Sequence, residues 1–416
     1  MTFPRITQTF VEKELYKLCA GSIIRRILGQ YSSRSTWQPQ DIIKRLIQAC
    51  VEQTSVEDIC STSAGPSADR VHQRLAGHQL AQLERLVNEW LIEIASRQDF
   101  HPQTKITVAI DFHHQPFYGK RELDWVTGMK PKKGTFHAIT FLLVSLTTGT
   151  QRCPLTVRLI TRPLLKRKAQ LIDQILAELT TWLPIKRVLL DRGFCEAGII
   201  QVLEARGLEY LIAAKRHGLV KTAAVEIQAC VAAHARQAGV DITDSIRLGQ
   251  WARKQGLDQF RVRYVSLGYQ STPVELVAVL VRLRTHHRDP LKRWTYRWFL
   301  YLTNCPLTPR VIVRLYGKRW MIETDIRCIA EFKAVTNSTQ PQVRFLLYGL
   351  AMVLDALWTV CSLLLNRLRS HGPFPITEET RFRVKQSDAI LIIARAFKRY
   401  VRTKILPELR FPGGDA

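Results

Sequence analysis

Three acids in this 416-residue chain are placed unlike the others. Asp111 ends the run VAID and Asp191 ends the run VLLD, so apolar residues deliver each carboxylate to the C-terminal end of an expected strand. In sheets with helical crossovers that edge is where sites are built. The third acid, Glu323, lies in the helical segment YGKRWMIETDIR. Taken singly, an Asp at a strand end is more often a turn or helix cap. If the two strands are neighbours and the helix packs beside them, three carboxylates converge, and such a group repels itself unless a divalent cation neutralises it. All-oxygen ligands without Cys or His favour Mg²⁺, with Mn²⁺ as a substitute. Two such ions activate a water or a 3′-hydroxyl and stabilise the leaving oxygen during in-line displacement at phosphorus.

The helix carries more than its acid. Tyr316, Arg319 and Glu323 fall at i, i+3 and i+7, on one face, and Arg327 extends that face by a turn. An Arg beside the Glu would orient the carboxylate or grip a phosphate oxygen. The ordinary alternative is a surface salt-bridge ladder. Charge argues against it: residues 281–344 hold thirteen Lys+Arg and four Asp+Glu, an excess of +9, and residues 151–168 hold six basic residues and no acid. Trp294, Tyr296, Trp298 and Trp320 interleave with these charges, a composition suited to a nucleic-acid channel with stacking positions. Trp298 and Phe299 alternate on an expected strand, so one of them should be core. His113 and His114 follow Asp111 but point to opposite faces of a strand, and both read as structural.

These residues need a scaffold, and composition supplies bounds on it. Lys+Arg minus Asp+Glu is 61 − 35 = +26, a field that draws polyanions, nucleic acid most commonly, with an acidic membrane surface or ribosomal RNA as alternatives that charge alone does not separate, while 46% hydrophobic residues suffice to bury cores and exclude wholesale disorder. Nine cysteines without a CxxC pair read as reduced thiols of a cytosolic protein, and MTFPRITQTFVEKEL has no secretory apolar core. The apolar run at 346–365 is long enough to span a bilayer, but Asp355 at its centre favours a buried helix.

Residues 1–100 read as helical. Leu80, Leu83, Val87, Trp90, Leu91 and Ile94 form one stripe, and Ile43, Leu46, Ile47 and Cys50 another. Between them Thr54 and Glu57 have capping-box spacing, and Ser67 opens a short helix in which Val71 and Leu75 face inward. On that helix Arg70, Gln73 and Arg74 would face a DNA groove, and a plain helical bundle without groove contacts is the competing reading. From residue 105 come three strands, mostly antiparallel, then a helix at 168–182, the strand KRVLLD, a helix at 196–206 and the strand EYLIAAKR. Residues 217–303 read as a second, strand-rich unit, followed by helices at 308–334 and 342–367 and a tail with a loose end.

At this point the motifs resemble the insertion-sequence DDE transposases, in the branch with a Tyr-x-x-Arg-x-x-x-Glu helix. They are Asp111 in AIDFHHQPFYG, Asp191 in LDRGF, and Tyr316, Arg319 and Glu323 in YGKRWMIE, with separations of 80 and 132 residues. The resemblance covers residues 105–367. It implies an α/β protein with an RNase H-like mixed β-sheet flanked by helices, interrupted by a β-rich insertion and preceded by an all-helical DNA-binding domain. The expected units are 1–100 (DNA-binding), 105–216 and 304–370 (catalytic), 217–303 (insertion) and 371–416 (C-terminal extension). Asp111, Asp191 and Glu323 would hold two Mg²⁺ ions. The protein would cut double-stranded DNA at terminal inverted repeats, through a hairpin intermediate in relatives with this signature, and join the ends to target DNA. Expected DNA contacts are Tyr316, Arg319, Arg327, Lys333, Arg344, Arg70 and Arg74. At least a dimer on DNA, no membrane association and a cytoplasmic, nucleoid-associated location follow. Family members usually place a Lys seven residues after the Glu; here that residue is Ala330, flanked by Arg327 and Lys333. A decayed or domesticated DNA-binding relative and a structure-specific nuclease are the competing functions.

Overall fold

A computed structural model describes residues 37, 39–62, 64–96, 105–119, 122–132, 134–148, 152–216, 218–264, 274–285 and 294–370. The expected C-terminal extension at 371–416, most of residues 1–38, and the side chains of Ile43 and Cys361 lie outside the described residues.

Four helices lead: α1 (Pro39–Glu52), α2 (Val56–Ser61), α3 (Ala68–Ala76) and α4 (Leu80–Ser96). Ser67 caps α3 by accepting from the Arg70 N–H at 3.3 Å, as the sequence suggests. The cap of α2 is Ser55, one residue later than expected: its Oγ accepts from the Asp58 N–H at 3.1 Å, while the Thr54 hydroxyl donates to the Asp58 carboxylate.

The strands β1 (Ile106–Pro116), β2 (Val126–Lys132), β3 (Thr135–Leu146), β4 (Cys153–Leu159), β5 (Ile185–Leu190), β6 (Glu209–Ala213), β7 (Gln259–Tyr264), β8 (Val274–Arg284) and β9 (Trp294–Thr303) form one nine-stranded mixed sheet. Its order is β2-β3-β1-β5-β6-β9-β8-β7, with β4 on the same edge of β3 as β2 but further along. β1, β5 and β6 are parallel, and the rest join antiparallel. Between the strands lie α5 (Arg162–Lys166), α6 (Lys168–Thr180), α7 (Ala197–Ala205), α8 (Gly218–Gln237) and α9 (Ser245–Lys254), and α10 (Pro309–Gly317), α11 (Trp320–Ala330) and α12 (Pro341–Ser370) follow.

In residues 217–303, expected as a strand-rich insertion, α8 and α9 fill the first half, and β7–β9 extend the common sheet by pairing β9 with β6. The apolar stripe of α4 packs on α12 and β4 within one continuous core, and Gly349 permits the close crossing, since a Cβ there would meet Val87 Cγ1 at 2.9 Å. Polar groups of α4 finish the contact. Asn88 Oδ1 accepts from the Val157 N–H and Glu84 Oε1 from the Leu159 N–H, both at 2.8 Å, so the outer edge of β4 is hydrogen-bonded by side chains instead of by another strand.

Among the described residues no helix is long and apolar enough to cross a membrane, and no disulfide joins the cysteines. Asp355 sits fully buried on α12 with a partner, Arg152, at 3.4 Å, and Arg152 also pairs with the buried Asp325 of α11. Burial pushes both carboxyls up against the pull of that guanidinium.

Candidate active site

The parallel ladder of β1 and β5 ends with Ile110 opposite Leu190, so Asp111 and Asp191 are the next residues of the two neighbouring chains. Asp191 directly follows the C-terminal end of β5, but Asp111 does not end its strand as expected: it lies in the middle of β1, which runs on to Pro116 against β3 alone. The three apolar residues before each acid are buried in succession, and the acid is the first of the run to emerge. Aromatic rings lock the two segments together: Phe112, next to Asp111, stacks on the buried Phe194 of the turn after β5 with centroids 4.8 Å apart and planes 7° from parallel. Asp191 also caps that 3₁₀ turn, its Oδ1 accepting from the Arg192 N–H at 2.5 Å, so the bland reading of a strand-end Asp holds for one of its oxygens. From the other side Lys168 of α6 reaches Glu196 at 2.6 Å and the Gly193 carbonyl at 3.3 Å.

Glu323 arrives on α11, which packs across β1 and β3. The expected single helix 308–334 is broken, with α10 ending at Gly317 and α11 beginning at Trp320. The junction is tight: the N–H groups of Arg319, Met321 and Ile322 donate three residues back. Tyr316, Arg319 and Glu323 nevertheless gather at one place. Tyr316 donates its hydroxyl to the Leu190 carbonyl at 3.3 Å, immediately before Asp191. Arg319, 8% exposed, donates one Nη to Asp111 Oδ2 at 3.0 Å and the other to Glu323 Oε1 at 2.6 Å, with its guanidinium 5.7 Å from the Tyr316 ring.

Electrostatics follow from crowding. Burial, together with the negative fields of Asp191 and Glu323, raises the Asp111 carboxyl to about 6 despite Arg319. Burial likewise pushes the Tyr316 phenol up to about 12. As the side chains stand, no three His, Cys, Asp or Glu among the described residues close around a single metal position, because Arg319 bridges Asp111 and Glu323. The donor set itself fits a hard divalent cation: three carboxylates, whose oxygens are the ligands such an ion prefers.

An open cleft of about 1000 Å³ adjoins the carboxylates. Asp191, Tyr316 and Arg319 form one wall, and Tyr296, Trp298 and the 64%-exposed Trp320 supply rings. Gly249 of α9 lets the Tyr296 ring lie against that helix, where a Cβ would come within 2.2 Å of it. Trp294 is outside this cleft, covered by Arg282 at 4.3 Å, and neither Trp298 nor Phe299 is fully buried. Arg192 and Arg216 also line the cleft and went unnoticed in the sequence; the signal for Arg192 was its place directly after the strand-end Asp.

The other expected contacts lie elsewhere. Arg327 is exposed beside Thr324. Lys333 and Arg344 line a second cleft of about 790 Å³ beyond the end of β1, with Gln115, Ala330 and Asn337. Arg344 stacks over Phe117 at 5.0 Å. Arg70 and Gln73 are exposed and Arg74 half-buried on α3, opposite the buried Val71 and Leu75. His113 stacks on Tyr348 at 5.7 Å and His114 bonds the Thr140 hydroxyl at 2.7 Å, so each has a structural partner.

The mixed sheet and its flanking helices have a counterpart among solved structures. The chain aligns over 97% of its length with 87% of a chain in the cryo-EM structure of the piggyBac transposase synaptic complex with hairpin DNA, at a TM-score of 0.51 and 13% identity, which establishes a common fold. A comparison with curated proteins gave no match. The sequence profile described as "Transposase DDE domain" matches residues 97–355, well over half of the chain, and the protein belongs to that family.

Proposed function

We propose that this chain is the transposase of an insertion sequence, which cleaves DNA at terminal inverted repeats and transfers the ends into target DNA. The observation that carries this reading is the placement of Asp111 and Asp191 directly after the last pair of the β1–β5 ladder, with Arg319 joining Asp111 to Glu323 at the mouth of a basic, aromatic cleft. The sheet and its helices are read as RNase H-like, with residues 105–216 and 304–370 as the catalytic part. Asp111, Asp191 and Glu323 would hold Mg²⁺, two ions by the donor count, with Mn²⁺ able to substitute. When bound, the metal supplies an activated oxygen nucleophile and charge neutralisation at the leaving oxygen.

The chain's own residues do the rest. Arg319 holds Asp111 and Glu323 within reach of each other and, released from either, offers a planar fork to a phosphate of the DNA end. Tyr316 keeps α10 fastened to the end of β5, directly beside Asp191. Trp298 and Trp320 stack on bases in the first cleft, and Arg327, Lys333 and Arg344 take phosphates beyond it. Arg70 and Arg74 on α3 read or grip the repeat. The protein acts as a dimer or higher on DNA, in the cytoplasm at the nucleoid, because two ends must be cut in concert. The hairpin DNA in the piggyBac complex supports a hairpin route here.

The test is direct. Asp191→Asn and Glu323→Gln should abolish Mg²⁺-dependent cutting of DNA carrying the element's ends while leaving DNA retention nearly intact. Two variants that cut as fast as the parent would remove these acids from the reaction.

A further inference from the structure

Beneath the carboxylates lies a second charged cluster that the chemistry above leaves unused. Arg152, just ahead of β4, pairs with Asp325 of α11 and with Asp355 of α12, and all three are at most 8% exposed. Two carboxylates share one guanidinium, and Asp325 Oδ2 and Asp355 Oδ1 have no hydrogen-bond partner. Such a triad is a poor device for stability. Desolvating three charges offsets most of their attraction, and apolar residues of similar size often stabilise a fold as well or better. Stability alone is therefore a weak account of its presence.

The location supplies another. Asp325 is two residues after Glu323, about 200° further round α11 at the usual helical twist, so the two acids leave opposite sides of the helix. The other buried residues of α11, Ile322, Cys328 and Ile329, make apolar, non-directional contacts. They hold the helix down without fixing its rotation. With side-chain tips roughly 5–6 Å from the axis, a turn of about 10° moves the Glu323 carboxylate by about 1 Å. Displacements of about 1 Å in a reacting constellation can cost on the order of 100-fold in rate. The break at Gly317–Trp320 adds to the need, because α11 is not held in rotation by continuity with α10.

We propose that Arg152, Asp325 and Asp355 are positioning residues that set the rotation of α11, and through it the height of Glu323 over Asp111 and Asp191. This rests on the functional reading above, since Glu323 must be a metal-holding carboxylate for its height to matter.

The experiment uses the full chain and two replacements: the triple variant Arg152→Met, Asp325→Leu, Asp355→Leu, and the single variant Arg152→Lys, which keeps the charge but loses the planar fork. Thermal melting, binding of a duplex bearing the element's ends, Mn²⁺ titration by calorimetry, and cutting rate at saturating DNA are measured together. The expected result is a triple variant that melts no lower than the parent and binds duplex equally, yet holds Mn²⁺ about tenfold more weakly and cuts on the order of 100-fold more slowly. The lysine variant should fall between the two in Mn²⁺ affinity and rate. Folded variants that match the parent in both would overturn the proposal. So would losses of rate that merely track losses of melting temperature in both variants, which is what a structural triad gives. A parent that neither binds Mn²⁺ nor cuts, by contrast, would remove the functional reading and the proposal with it.

Discussion

Replacing Arg319 with Ala probes the cation that bridges two of the proposed catalytic acids. Its side chain is 10% exposed and holds Asp111 at 3.0 Å and Glu323 at 2.6 Å. Breaking a buried pair by removing one partner costs about 3–5 kcal/mol, because a charge is left without compensation. The Glu323 side chain is 34% exposed, so solvent screens that half, and the Asp111 half dominates. A net loss of about 3 kcal/mol at neutral pH in the presence of a chelator follows. A divalent ion supplies the missing positive charge, and at a concentration about 100 times its dissociation constant linkage returns about 2.7 kcal/mol. In the parent the ion must first win the carboxylates from Arg319, so it stabilises less. Urea unfolding of parent and Arg319→Ala, each with chelator and with excess MgCl₂, should therefore show a gap that shrinks by at least half when Mg²⁺ is present. An equal gap under both conditions would refute the argument that guanidinium and metal serve the same carboxylates.

Two further outcomes are expected. Phe194→Ala removes a fully buried ring and the stack that joins the two acid-bearing segments, and should cost about 3 kcal/mol in urea unfolding. Cutting should fall by more than that stability loss explains. The Glu84 carboxyl, raised by burial to about 7, contributes stability that is fully present below its ordinary value of 4.5 and is lost as pH rises through 7. Glu84→Gln keeps an oxygen for the Leu159 N–H, so relative to the parent it should gain up to about 3 kcal/mol between pH 5 and 9; a pH-independent difference would place the titration elsewhere.

The acids were legible only jointly: either Asp alone reads as a turn or cap, as Asp191 partly is, and the recurrence of an apolar run ending in Asp together with the Glu323 helix is what singled them out. The Tyr316–Arg319–Glu323 cluster was legible too, although for a partly wrong reason: i, i+3, i+7 spacing assumes a continuous helix, and the chain breaks it. β2 escaped notice because VTGMKPK has the Gly, Pro and Lys of a turn, and it is a strand through pairing with β3. The helices α8 and α9 were passed over although GLVKTAAVEIQACVAAHARQ is rich in alanine, the strongest helix former. Docking of the N-terminal helices was not legible, since it depends on the smallness of Gly349, some 260 positions beyond Val87. Asp355 could be called buried, but its partner Arg152 lies 203 residues away and only the fold introduces them.

The bonds from Glu84 and Asn88 to β4 bear on how this protein is handled at the bench. Trimming the chain to its family-matched portion would strip away α4 and leave a row of unsatisfied amides along β4, a ready template for strand addition by a neighbouring molecule. Preparations cut near residue 97 should therefore form sheet-linked aggregates, and the leading helices belong in any fragment meant for crystals.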